Sequence, residues 1–221
     1  MGKSCTLTMV LLLGVVLGAC SDPETQGEAS DGDSGAGLGE AIITELGSDP
    51  LNWVKTNDVG EYSMMLQDSR EFDLLAEKEG WNSAILAAGK KFASLPNGGF
   101  LELYPTAEEG AVFQQDFGVP YDASLGTVTL RVTGPDGPGA GVAIELDSKH
   151  GGAHSLQSGD KFAAGNRVPT GATEGMVTFV LVNPGTAAIT VTSPDGWSCV
   201  ARARVPVLPN VHTTSFVICK D

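Results

Sequence analysis

Met176-Val-Thr-Phe-Val-Leu-Val182 decides the fold of this chain, together with the turn Asn183-Pro-Gly185 that ends it. An unbroken run of apolar and β-branched residues, closed by proline and glycine, is typical of a buried strand that ends in a tight turn. Upstream, residues 125–132 alternate like a half-buried strand, and residues 199–207 and 212–219 continue the pattern downstream. Short strands separated by Gly/Pro turns predict an antiparallel β-sandwich over residues 119–221.

Glycine and proline recur at set places in this region, in Gly126-Thr-Val, Gly137-Pro-Gly-Ala-Gly-Val-Ala-Ile144, Gly175-Met-Val-Thr-Phe, Val182-Asn-Pro-Gly-Thr and Ile189-Thr-Val. These motifs resemble the transthyretin-like, carboxypeptidase-regulatory-type Greek-key domain. The chain departs from that family in a long loop before Gly175 and in having no aromatic residue after Pro184-Gly185. The resemblance implies a Greek-key sandwich and a non-catalytic role in spacing, binding or folding support. Immunoglobulin-like adhesin domains have a similar spacing of strands and turns and are the alternative.

The N-terminus has the pattern of an exported protein. Residues 6–19 are apolar or small, and as a helix they are too short to cross a bilayer, so residues 1–19 are predicted to be a signal peptide. Leu17-Gly-Ala-Cys20 resembles the lipobox of bacterial lipoproteins, which implies cleavage before Cys20 and acyl chains on its thiol. Ser21, where Asp would retain a proteobacterial lipoprotein in the inner membrane, favours the outer membrane or cell surface. The alternative is an ordinary signal peptide followed by a chance cysteine.

Two segments separate the lipobox from the sandwich. Residues 20–37 are acidic and small, with no large apolar residue in the stretch after Cys20, so we expect a disordered tether. Residues 38–118 are predicted to be mostly helical, because capping residues precede apolar positions at helical spacing. The expected helices are a short one opening at Pro50, one over 70–79 and one over 83–94. They would pack on the sandwich or form a partner-binding hairpin.

Cysteine usage predicts one disulfide. Cys5 leaves with the signal peptide and Cys20 carries lipid, so Cys199 and Cys219 remain in an oxidising compartment. They stand at opposite ends of the last predicted hairpin, where antiparallel pairing can bring them together.

The long connection over residues 147–174 is the predicted binding site. Loops of this length often carry function. This one collects basic side chains in an acidic protein, which would suit an anionic partner such as a glycan or an acidic protein segment. His150 and His154 are also candidate metal ligands by their spacing, although solvated loop histidines are the more ordinary interpretation. The alternative is a tolerated insertion or an extra edge strand. The candidate binding residues are Lys149, His150, His154, Lys161 and Arg167.

The net charge of the chain and the catalytic motifs found in it limit the classes of function that we expect. A formal charge of −14 makes nucleic-acid binding unfavourable. Gly32-Asp-Ser-Gly35 matches the nucleophile motif of trypsin-like proteases, but a predicted linker offers no rigid oxyanion hole. Glu102, Glu108, Glu109 and Asp116 are interpreted as solvated surface. We therefore expect a lipid-anchored envelope protein that acts as a non-catalytic binding or structural module, without a cofactor. An enzyme of unrecognised type is the less favoured alternative.

Overall fold

The computed structural model describes residues 24–66, 71–89, 99–158 and 161–221. The predicted signal peptide and the lipidation site Cys20 lie outside these residues. Strands form most of the regular secondary structure of the described chain, which confirms the predicted mainly-β fold class. Its one helix among these residues, α1 (Glu109–Phe117), lies between the seventh and eighth strands and ends at Gly118 in the left-handed conformation. No helix in the described ranges is long and apolar enough to cross a membrane.

Seventeen strands follow one another along the described chain. They are β1 (Glu24–Asp31), β2 (Ile42–Glu45), β3 (Asn52–Lys55), β4 (Glu61–Met65), β5 (Glu71–Glu77), β6 (Ser83–Gly89), β7 (Gly99–Leu103), β8 (Gly126–Gly134), β9 (Gly137–Pro138), β10 (Ala143–Leu146), β11 (Gly152–Leu156), β12 (Phe162–Ala164), β13 (Met176–Val182), β14 (Gly185–Thr192), β15 (Ser198–Ala201), β16 (Arg204–Val207) and β17 (Val211–Lys220).

One long sheet organises the molecule, in the order β12-β11-β13-β8-β17-β6-β5-β2-β3. The C-terminal strand β17 lies at its centre. It pairs in parallel with β8 on one side, and on the other side it pairs in parallel with β6 and then antiparallel with β15. Two three-stranded sheets, β10-β14-β16 and β4-β1-β7, complete the fold.

The two faces of the long sheet support separate cores, because successive side chains of a strand point to opposite faces. On β6, Ile85 and Ala87 enter the first core, whereas Leu86 and Ala88 enter the second. The first core lies beneath β10-β14-β16 and includes Val128, Leu130, Ile144, Val177, Phe179, Ala187 and Val205. The second lies beneath β4-β1-β7 and includes Ala29, Ile43, Tyr62, Leu74, Leu101 and Leu103. The long sheet is therefore shared by two half-sandwiches on opposite faces.

The C-terminal half forms the predicted sandwich with two differences. The sheet is mixed rather than antiparallel, because β17 runs parallel to β8 and β6. The expected long loop over 147–174 contains the antiparallel hairpin β11–β12, which extends the sheet beyond β13. This hairpin corresponds to the alternative prediction for the 147–174 connection, an extra edge strand.

The helices predicted in residues 38–118 are wrong. β3, β5 and β6 occupy the places where helices were expected, and residues 67–70 and 90–98 lie outside the described chain. On β5 the buried residues are Phe72, Leu74 and Ala76, which repeat every second residue. The same stretch also satisfies a helical spacing, so periodicity alone could not separate the two structures. β6 is apolar from Ala84 to Ala88 because these residues enter the two cores alternately.

The tether predicted over residues 20–37 is also wrong for the part that is described. β1 pairs antiparallel with β4 and parallel with β7, so it is the central strand of its sheet. Thr25 and Ala29 are 4% and 0% exposed. The composition argument considered only large side chains, whereas a central strand is held by hydrogen bonds on both edges and can be built from small residues.

Candidate functional site

A cavity of about 90 Å³ lies between α1 and the face of the long sheet that carries the second core. The sheet β4-β1-β7 covers only part of this face, and beyond β17 the cover is α1. The helix packs through Phe117, whose ring centroid lies 4.9 Å from that of Phe162 on β12 and 5.2 Å from that of His154 on β11. The other residues that line the cavity come from the turn after β1 and from β7, β8, β13 and β17. We call this cavity the α1 cleft.

The floor of the α1 cleft is polar and internally hydrogen-bonded. Thr129 Oγ1 lies 2.8 Å from His212 Nε2 and 3.0 Å from Thr178 Oγ1. Burial lowers the pKa of His212 to about 4, and the His212 ring stacks on Tyr104 with centroids 5.8 Å apart. The imidazole is therefore neutral at neutral pH and presents a fixed polar surface rather than a charge.

Carboxylates of α1 line the wall of the cleft. Glu109 accepts a hydrogen bond from Asn82, which is 3% exposed, and lies beside Tyr121, whose hydroxyl donates to Asn210. Burial raises the pKa of Glu109 to about 7, although the Tyr121 hydroxyl acts in the opposite direction. Burial also raises the pKa of Asp116, and the nearby charge of Asp33 adds to the effect. These carboxylates were interpreted from sequence as solvated surface, which is wrong for Glu109 and Asp116, since both are half-buried in the cleft.

The opposite wall depends on close contact with the turn after β1. A Cβ atom on Gly32 would lie 2.4 Å from ring carbons of Tyr104, so only glycine lets this ring pack here. Glu102 lines the same wall and forms an ion pair with Arg131 at 2.7 Å. In the protease-like motif, the exposed Ser34 hydroxyl donates to Asp31 at 2.6 Å. This motif shapes a turn that supports the cleft.

The two histidines predicted as metal ligands lie on opposite faces of the sheet. His154 contacts Phe117 on the cleft side, whereas the ring of His150 contacts Phe179, which belongs to the first core. His150 precedes β11 and His154 lies within it, so the regular alternation of one strand does not relate the two rings. In the four described ranges, no three His, Cys, Asp or Glu side chains form a group that could hold a metal ion.

The basic side chains of the predicted patch lie at both ends of the β11–β12 hairpin. Lys149 lies before β11 and accepts a backbone hydrogen bond from Asn183, whereas Lys161 lies at the other end of β11 in the β11–β12 turn. Arg167 donates to the carbonyl of Gly141, beside the other sheet of the sandwich. The hairpin therefore places Lys161 at its turn, and Lys149 and Arg167 at its open end.

The predicted disulfide is confirmed. Cys199 and Cys219 lie directly opposite each other on β15 and β17, with an S–S distance of 2.01 Å. The bond ties the edge strand β15 to the central strand of the long sheet.

Sequence reasoning missed the cleft because its residues are far apart along the chain, from Asp33 to His212. One local signal was present. Phe113, Phe117 and Tyr121 recur every fourth residue, and Phe113 contacts both of the other rings at 5.2 Å. That spacing indicates an aromatic helix face, although it does not indicate what the face covers.

Comparison with known proteins gives only remote likenesses. No protein-family model matches the chain, and no curated protein sequence matches it. Among solved structures, a family CBM26 module of Eubacterium rectale Amy13K, in complex with maltoheptaose, is 11% identical with a TM-score of 0.31, over 89% of this chain and 93% of that one. The Bacillus anthracis TIE protein is 11% identical with a TM-score of 0.28, over 90% of this chain and 34% of that one. The Lactobacillus rhamnosus GG shaft pilin SpaA is 12% identical with a TM-score of 0.25, over 90% and 98%. At these TM-scores the function has to be argued from the chain itself.

The buried carboxyl of Glu109 predicts a specific pH dependence of stability. Its folded-state pKa of about 7 lies above the ordinary 4.5, so the folded state favours the protonated form. The stability this provides is complete below about pH 4.5 and is lost as the pH rises through about 7. Glu109→Gln stays neutral and can still accept from Asn82, so we expect it to gain stability relative to the parent across this window. Because Glu109 is half-exposed, the gain should be on the order of 1 kcal/mol.

Denaturant unfolding of both proteins across this pH window measures the difference. The lowered pKa of His212 gives the opposite slope, with stability lost as the pH falls through about 4, but it contributes equally to both proteins. Glu145→Gln removes an exposed carboxylate on β10 and serves as the control for the loss of one negative charge. A constant difference between Glu109→Gln and the parent would contradict the buried-carboxyl interpretation.

Proposed function

We propose that this chain is an exported bacterial lipoprotein, anchored through Cys20 in the cell envelope, whose transthyretin-like body is a non-catalytic binding module with the α1 cleft as its binding site. The anchor is inferred from the lipobox resemblance at Leu17–Cys20. The outer membrane or cell surface remains the proposed location, because Ser21 follows the cysteine.

The α1 cleft carries the binding part of the proposal. It is a concave site with aromatic walls and a small number of oriented polar groups, which is the usual composition of a small-molecule site. Phe113, Phe117 and Phe162 supply apolar surface, and Thr129 and Thr178 supply hydroxyls on the floor.

The charge of the cleft favours a cationic ligand group. Among the described residues, its lining includes the acidic side chains of Asp33, Glu102, Glu108, Glu109 and Asp116 and no lysine or arginine. Because the pKa of Glu109 is about 7, that group is only partly ionised at neutral pH. Arg131 neutralises Glu102 from outside the lining. An ammonium group would be attracted by the remaining carboxylates and by the faces of the aromatic rings. An anionic ligand, as expected from the predicted basic loop, would be repelled here.

The state of His212 supports binding rather than catalysis. Thr129 and His212 are within hydrogen-bond distance, as a nucleophile and its base would be. However, a base whose pKa is about 4 accepts a proton poorly at neutral pH, where a general base needs a pKa close to the working pH. Thr129 is also only 4% exposed and bonded to Thr178.

Three probes of similar shape test the site: choline, its neutral carbon analogue dimethylbutanol, and the anionic dimethylbutyrate. We expect choline to bind roughly tenfold more tightly than dimethylbutanol, and dimethylbutyrate not to bind. Val112→Trp places a large side chain in the cleft from α1 and should abolish binding. Gln115→Trp adds the same side chain at an exposed position of the same helix and should preserve it. Titrations followed by NMR of the mature chain give the affinities and the residues affected.

The outcomes separate the two parts of the proposal. Equal binding of choline and dimethylbutanol at the cleft would contradict the charge argument and leave the site in place. Binding that survives Val112→Trp, or no binding of any probe, would contradict the assignment of the α1 cleft. An acidic oligosaccharide in the same titration tests the anionic glycan partner expected from the sequence.

The anchor has its own prediction. Cys20→Ser removes the thiol that would take the lipid, so the protein should move from the detergent phase to the aqueous phase in detergent partitioning. Cys5→Ser, within the predicted signal peptide, is the matched control and should partition as the parent does. A Cys20→Ser protein that stays in the detergent phase would show that another feature holds the chain to membranes.

A further inference from the structure

The structure shortens the link between the predicted lipid anchor and the folded body. β1 begins at Glu24, which lies opposite Met65 on β4. An extended chain advances at most about 3.6 Å per residue, so the four steps from Cys20 to Glu24 span at most about 14 Å. A lipid on Cys20 would therefore hold the start of β1 close to the bilayer surface. The sequence-based expectation of a tether over residues 20–37 would have allowed the body to lie much farther away.

Exposed apolar side chains surround the point where β1 begins. Leu51, Trp53 and Met65 are 66%, 53% and 46% exposed. The Asn52 side-chain amide donates to the carbonyl of Met65 at 2.6 Å, which joins the start of β3 to the end of β4. Met65 lies opposite Glu24, and Leu51 and Trp53 are the chain neighbours of Asn52, so all three residues are near the attachment end of the body. We call these three residues the β1-end patch.

We propose that the β1-end patch rests on the lipid bilayer that holds the anchor. The proposal depends on the lipidation of Cys20 proposed above. Tryptophan is favoured at the level of the lipid headgroups, and leucine and methionine can enter the boundary with the acyl chains. The short link gives this end of the molecule no room to stand clear of the surface. The contact orients the protein, with one end of the half-sandwich facing the membrane.

The contact is apolar rather than electrostatic. Lys55, the cation of β3, forms an ion pair with Glu40 at 2.7 Å, and Asp49 is exposed next to the patch. With a chain charge of −14, anionic lipid would not attract this end. The patch should therefore contact vesicles of zwitterionic phosphatidylcholine, and the contact should be insensitive to salt.

Fluorescence quenching by brominated lipid tests the contact directly. The lipidated full chain is reconstituted into phosphatidylcholine vesicles with and without bromine on the acyl chains. Trp53 should be quenched by the brominated lipid, and Trp53→Phe should lose that quenching while Trp81 and Trp197, both packed against the cores, remain bright. The matched control is Val59→Trp in the Trp53→Phe background. Val59 is 60% exposed but lies in the turn between β3 and β4, at the far end of both strands, and should not be quenched.

Each outcome bears on one proposal. Mass spectrometry of the N-terminal peptide first establishes the lipid, and its absence would overturn the anchor. With the lipid present, quenching of Trp53 and not of Val59→Trp supports the orientation. No quenching of Trp53, or equal quenching at both positions, would overturn the docking of the β1-end patch and leave the anchor intact.

Discussion

We expect the double substitution Cys199→Ala and Cys219→Ala to lower the melting temperature by about 6–12 °C. The disulfide joins residues with a sequence separation of 20. Closing a loop of this length reduces the entropy of the unfolded chain and stabilises the folded state by about 3 kcal/mol. For a domain of this size, each kcal/mol shifts the melting temperature by about 2–4 °C. Alanine is preferred to serine because Cys219 is 2% exposed and a hydroxyl there would be buried without a partner.

Thermal unfolding of the oxidised parent, the reduced parent and the double variant measures this effect. The reduced parent should resemble the double variant. Val200→Ala is the control. Val200 follows Cys199 on β15 and also pairs with β17, but it is 42% exposed, so its truncation should change the melting temperature little. A double variant that melts with the oxidised parent would mean that β15 is held to β17 by its hydrogen bonds alone.

Truncating Phe179 should have the largest effect on stability of any single substitution considered. Phe179 is 1% exposed at the centre of the first core, and the ring of His150 packs against its edge at 5.1 Å. Phe179→Ala removes this contact and leaves a cavity, so the free energy of unfolding should fall by about 3–5 kcal/mol. Denaturant unfolding at constant pH gives the value.

The matched control is Phe162→Ala, on edge strand β12. Phe162 is half-buried and contacts Phe117 of α1, so its truncation should cost less and should act mainly on the α1 cleft. An equal loss at both positions would contradict the view that the fold depends on the first core and not on the helix contact.

Several features of the fold could be predicted from local pattern. The run at Met176–Val182 and the alternating residues after Leu125 form strands where expected, because alternation and Gly/Pro turns are properties of neighbouring residues. The pairing of Cys199 with Cys219 followed from compartment and spacing. The same local reasoning failed for residues 71–89, whose apolar positions fit both a helix and a strand. In that segment the strand conformation depends on β17, which pairs in parallel with β6 and is more than a hundred positions away in sequence.

The candidate site lay further beyond sequence reasoning. The acids of the cleft were identified as residues but interpreted as solvated, because nothing near Glu109 in sequence indicates that Asn82 and Tyr121 enclose it. The connection over 147–174 was predicted as a loop and contains the hairpin β11–β12, because its short polar strands have no apolar pattern of their own. Both differences concern which parts of the chain meet, which composition does not specify.

By itself, the sequence predicted export and a lipid anchor, the strand-and-turn character of the C-terminal half and the disulfide partners, and the structure shows the last two. Each of these depends on residues close together in the chain or on chemistry that only one residue type can perform. Only the tertiary structure decided that residues 24–31 form a central strand, that one sheet carries a core on each face, and that α1 closes a cleft over Thr129, Thr178 and His212. The physical reason is that strand pairing and burial are set by partners distant in sequence, and the same local pattern can satisfy more than one set of partners until the whole chain packs.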